Sequence, residues 1–132
     1  MPVVPDRLIT TTNEFLHRQV HPSFVRNGRL SSQAFKPNSQ DAGRLSVSRD
    51  SLATAKIAYE RYIARGRQSC GVWSVTVEEC SLIGVMAYQD PLPDDEAHAL
   101  VDFAALPTKS QWDKVSDKLA ALARTRGCQH AA

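Results

Sequence analysis

"FLHRQVHP", residues 15–22, has the length and the apolar end residues of a short β-strand, and Pro22 forces the residue before it into extended geometry. The strand can therefore run to His21. On it His17, Gln19 and His21 share one face at i, i+2 and i+4, while Leu16, Arg18 and Val20 share the other.

Downstream, "RNGR" (26–29) is a turn signal, because Asn-Gly supplies the positive φ angles of a tight hairpin. It predicts a hairpin joining a segment at Phe24 and Val25 to one running from Leu30 to Phe35. "KPNSQDAGR" (36–44) then reads as a polar loop, and "RLSVS" (44–48) as a brief strand with Leu45 and Val47 on one side and Ser46 on the other. Upstream, residues 1–13 carry two prolines and a threonine triplet, which predicts an extended arm with little core of its own.

"DSLATAKIAYERYIARG" (50–66) spaces Leu52, Ala55, Tyr59 and Tyr62 as one helical face, with Asp50 or Ser51 as N-cap, Gly66 as C-cap, and Lys56, Glu60, Arg61 and Arg65 exposed. "CGVWSVTV" (70–77) has the composition of a buried strand. Thr76 and Glu79 have capping-box spacing and predict a helical turn at "VEECSL". "GVMAYQ" and "HALVDF" are further strand candidates, separated by the acidic loop "DPLPDDEA". A second long helix is predicted over 109–126, with Trp112, Val115, Leu119 and Leu122 as its apolar stripe and Thr108 with Gln111 as its capping box. Short strands broken by unequal helices indicate an α+β fold: a small mixed or antiparallel sheet with two main amphipathic helices, at about 50–65 and 109–126, in a single domain spanning 1–132.

With 132 residues and 42% hydrophobic content, the chain is long enough to bury a core, and it has no apolar run of membrane-spanning length. A soluble, cytoplasmic protein is expected, with no signal segment at its start. Cys70, Cys80 and Cys128 are odd in number and widely spaced, which fits reduced thiols. The net charge of +2 conceals a division: residues 1–67 hold eleven Lys/Arg against five Asp/Glu, and residues 68–132 hold five against nine. Nine of the eleven are arginines, whose donor fork suits carboxylates and phosphates. The alternative is that these arginines pair with the acidic half inside the fold.

Residues 17–35 concentrate the polar chemistry. His17 and His21 lack a third local ligand, so no metal site is expected, and no motif implies a cofactor. As general acid and base beside Arg18, Arg26 or Arg29, the two histidines would suit a metal-independent ribonuclease, but they lie only about 7 Å apart along a strand. An ADP-ribosyltransferase-like arrangement would use His17 or Arg18, then Ser31 or Ser32, a tyrosine at 59 or 62, and a late Glu79, for which the capping box is the simpler role. The third reading is recognition, with His17, Gln19, His21, Ser32 and Gln33 bonding loop backbones or a partner.

"LHRQVHPSFVRNGRLSSQAFKP", "RLSVSRD", "GVWSVTVEEC" and "DPLPDDEAHALVDF", in that order, resemble a family of small bacterial proteins usually labelled hypothetical. The resemblance implies a bacterial, cytoplasmic, stand-alone domain and carries over no activity. The expectation is a recognition protein of the immunity, antitoxin or defence-accessory type that binds a protein partner. Its binding residues are expected to be His17, Arg18, Gln19, His21, Arg26, Arg29, Ser32, Gln33, Arg44 and Arg49, with an anionic ligand or nucleic acid as other partners. An enzyme would use His17, Arg18, His21 and Glu79.

Overall fold

The computed structural model describes residues 7–37 and 42–132. In chain order its elements are β1 (Phe15–Val20), β2 (Val25–Arg26), β3 (Arg29–Leu30), β4 (Arg44–Arg49), α1 (Ala55–Ala64), β5 (Gly71–Thr76), α2 (Val77–Ile83), β6 (Met86–Gln89), β7 (His98–Asp102), α3 (Lys109–Arg126) and β8 (His130–Ala131). Six strands form one sheet in the order β6, β7, β4, β1, β5, β8, and every neighbouring pair is antiparallel. The α+β architecture follows, with the sheet antiparallel rather than mixed.

β1 lies inside this sheet, so its alternation sorts the whole molecule. Leu16 stands opposite Val75, and His17 stands opposite both Ser74 and Ser48. Ser48 in turn faces His98, so a polar row crosses four strands on one face. The other face buries Leu16, Val20, Leu45, Val47, Val75, Ala87 and Val101 in one cluster with Phe35, Phe103, Val115, Leu119 and Ala123. α3 supplies the last three of these, covering that face as its apolar stripe requires.

The signals carried by short motifs hold. Asn27 (φ 54°) and Gly28 (φ 73°) are both left-handed, and the hairpin pairs Val25 with Leu30. Both capping boxes form: Thr76 with Glu79 opens α2, and Thr108 with Gln111 opens α3. α2 then runs to Ile83, longer than one turn.

Three expectations need correction. Leu30–Phe35 is not a strand, since β3 ends at Leu30 and a 3-10 turn covers Ser32–Phe35. That turn sinks Ala34 and Phe35 into the core, and the Ser116 hydroxyl donates to the Phe35 carbonyl. The first long helix begins at Ala55 with Thr54 as its cap, not at Asp50 or Ser51. Asp50 is engaged by His17, and the Ser51 amide donates to Glu14, so residues 50–53 are held in a turn and Leu52 stays outside the helix and exposed. Last, the N-terminal arm does contribute to the core. The Ile9 amide donates to the Ala87 carbonyl and its side chain is buried, while residues 1–6 lie outside the described residues, as does the 38–41 part of the polar loop.

Candidate functional site

The polar row is positioned by strand register alone, and α1 and the segment 90–97 lie over it. His17 is 4% exposed; its Nδ1 is 2.7 Å from Ser74 Oγ and its Nε2 is 2.8 Å from Asp50 Oδ1. Nε2 donates to the Asp50 carboxylate, and Nδ1 shares a hydrogen bond with the Ser74 hydroxyl. Asp, His and Ser are in the order of a nucleophilic triad. Ser74, however, is 0% exposed, so its hydroxyl has no route to a substrate.

His21 sits beyond the end of β1 and is also satisfied from within. Its Nδ1 accepts from the Ser23 amide and lies 2.7 Å from Ser23 Oγ, while Nε2 lies 2.9 Å from Gln68 Oε1. His98, which the sequence did not single out, places Nδ1 at the Asp90 carbonyl and carboxylate and Nε2 at Ser46 Oγ.

A cleft of about 150 Å³ opens beside this row, lined by residues including His17, Gln19, Ser48, Tyr62, Arg67 and His98. Neither His21 nor Glu79 lines it. Glu79 works in the α2 capping box and forms a two-pronged pair with Arg126, at 3.0 and 2.9 Å. Burial would raise its pKa, but the Arg126 and Thr76 hydrogen bonds outweigh that and hold the carboxyl below its ordinary range.

The arginines divide by location. Arg18 lies on the core side of β1 and donates to the carbonyls of Ala34 and Ser46. Arg49 pairs with buried Glu14 at 2.8 Å. Burial pushes Glu14 upward, but the Arg49 and Ser51 donors outweigh it and the carboxyl stays low. Arg61 of α1 and Arg65, its C-cap, reach Asp95, and Arg65 also reaches Asp94, so part of the basic half does meet the acidic half inside the fold. Arg44 leads β4 opposite Asp102, with its Nε buried and without a hydrogen-bond partner among the described residues.

Arg26 and Arg29 face each other across the hairpin and are exposed. They carry no ion pair among the described residues. Arg29 borders a second, more open groove of about 460 Å³, lined by Gly28, Leu30, Trp73, Ala121, Arg124 and Thr125. Arg124 donates to the Leu30 carbonyl at 2.9 Å and so fastens the hairpin to α3. Ser32 and Gln33 border a third depression, with Lys36, Asp113, Ser116 and Asp117. Residues 17–35 are thus spread over both faces of the sheet: the structure brings His17 and Gln19 to one cleft and Arg29 to another.

Compared with family models, curated proteins and solved structures, the chain matches none. Its chemistry therefore rests on the side chains themselves. Among the described residues no group of three His, Cys, Asp or Glu is placed to hold a metal ion, and no helix is long and apolar enough to cross a membrane. Cys80 is fully buried, and that burial, with Glu79 nearby, pushes its thiol up to about 12; Cys128 is exposed.

Trp73, Arg124, Arg67 and His98 line the two clefts and were not singled out as site residues by sequence, whereas Tyr62 entered only as a candidate tyrosine of the ADP-ribosyltransferase-like arrangement. Trp73 was signalled weakly. It is the bulky aromatic of β5 beside Gly71, and a Cβ at Gly71 would sit 3.1 Å from its ring.

Proposed function

We propose that this chain is a recognition domain that binds a protein partner, with the hairpin and the C-terminal half of α3 as its contact surface. The observation that carries the reading is a contrast in side-chain commitment. All four ring nitrogens of His17 and His21 are engaged within the fold, whereas Arg26 and Arg29 stand exposed without an ion pair among the described residues. Arg29 and Arg124 flank a groove that also offers Trp73 and Leu30. Arginine and tryptophan in one groove make a familiar interface centre, and the two cations select a partner segment with acidic side chains beside an apolar one. Immunity, antitoxin and defence-accessory proteins are the class to which such a small partner-binding domain corresponds.

The test is native mass spectrometry of the wild-type chain and the R26E/R29E variant, each isolated gently from the natural host. A stoichiometric protein subunit on the wild type that is absent from a normally folded R26E/R29E is the expected result. An unaccompanied wild-type monomer, or a subunit held equally by both, overturns the reading.

A further inference from the structure

The cleft over the polar row holds donors that the fold leaves unused, and these differ in kind from the engaged histidines beside them. Gln19 spends its carbonyl oxygen on the Ser69 hydroxyl, at 2.9 Å, which leaves its amide nitrogen without a partner among the described residues. Ser48 and the Tyr62 hydroxyl likewise make no hydrogen bond there, and both line the cleft. Arg67 lies over the Tyr62 ring, 5.8 Å from its centroid, and makes no ion pair among the described residues. The other charged groups of the lining are engaged: Asp95 pairs with Arg61 and Arg65 at 3.6 Å each, and Arg18 donates to the Ala34 and Ser46 carbonyls. Beside the engaged Arg18 and Arg65, the Arg67 guanidinium, two hydroxyls and a primary amide therefore border a concave space closed on another side by Leu92.

We propose that this cleft binds a small free carboxylate with a compact apolar body. The lining is net positive, and the contact to the anion is assigned to Arg67, whose planar fork matches a carboxylate in two parallel hydrogen bonds. Ser48, Tyr62 and the Gln19 amide supply the further donors that a desolvated anion requires. About 150 Å³ is the size of a cavity that holds one benzene ring, so the body of the ligand is a single ring or a short branched chain against Leu92 and the Tyr62 face. The site lies on the opposite face of the sheet from the hairpin groove and does not depend on a protein partner there.

Titration of the full chain with sodium benzoate, followed by amide chemical shifts, tests this. Saturable shifts centred on Gln19, Ser48, Tyr62 and Leu92, with a dissociation constant of about 1 mM or tighter, are expected. Arg67→Ala should weaken binding at least tenfold with an unchanged melting temperature, because Arg67 is exposed at its position after α1. Ser48→Ala should weaken it severalfold. Inorganic phosphate serves as the second probe, and phosphate bound more tightly than benzoate overturns the carboxylate assignment. No saturable benzoate shift up to about 10 mM, or a shift that Arg67→Ala leaves intact, overturns the site.

Discussion

The two faces of the sheet come from the same strands and are held by different physics. On the α3 side, β1, β4 and β5 present Leu16, Val20, Leu45, Val47 and Val75 to a continuous apolar cluster. On the α1 side the next residues along the same strands are His17, Ser48 and Ser74, and His17 ties Ser74 and Asp50 together by hydrogen bonds. α1 contributes little apolar burial: Ala58 is its one fully buried residue, packed with Ala53 and Ala97. Beside that, Arg61 and the helix's C-cap Arg65 pair with Asp94 and Asp95, and the Tyr59 ring packs on His130. Dense polar chemistry in a sequence can thus serve as the adhesive of a sheet face. The polar groups left for a ligand are the ones to which the fold has not assigned a partner.

If that division is right, the apolar face should respond most to truncation. Leu119→Ala and Phe35→Ala, both of fully buried side chains, are expected to cost about 3–5 kcal/mol each in urea denaturation. Next comes the Glu14–Arg49 pair, where Glu14→Ala leaves a largely buried guanidinium without its counter-charge and should cost about 3 kcal/mol.

Both Glu14 and Glu79 have folded-state pKa values below their ordinary value of 4.5. Their stabilisation is therefore complete above about pH 4.5 and is lost as pH falls through the lowered values, because the unfolded chain takes up protons first. Wild-type denaturation midpoints should fall on acidification below that point, and an E14Q/E79Q variant should show a flatter profile. An unchanged slope would mean that other carboxylates carry the acid response.

On the polar face, Ser74→Ala removes the hydroxyl from the buried His17 Nδ1 and should cost about 1–3 kcal/mol, read by thermal melting. A loss equal to that of Leu119→Ala would erase the distinction between the faces. The smallest effect is expected at the rim: R26E/R29E should change stability by no more than about 0.5 kcal/mol per site, since both side chains are exposed.

Local signals read well from sequence. Asn27-Gly28, the two capping boxes and the alternation within β1 depend on neighbours a few residues apart, and each appears where expected. What escaped depends on distant partners. Asp50 and Ser51 have the composition of a helix cap, but His17 and Glu14, over thirty residues away in sequence, claim them and move the helix start to Thr54. Leu30–Phe35 follows a hairpin turn and so reads as its second strand, but a 3-10 turn over Ser32–Phe35 places Ala34 and Phe35 in the core instead.

β8 is two residues long and pairs only because α3 returns the chain to Gly71 and Val72. The candidate sites were half legible for the same reason. The arginines of the hairpin stand next to their turn signal, whereas Trp73, Arg124, Tyr62 and Arg67 meet them or each other only after folding.

The decisive experiment is on His17, the residue that both an enzyme and a binding domain would claim. His17→Ala, isolated from the natural host and examined by native mass spectrometry beside a thermal melt, should melt lower than wild type while keeping its protein subunit. A variant that melts like wild type yet loses a bound nucleotide or a turnover activity would make His17 a working catalytic group and not part of the fold's internal bonding.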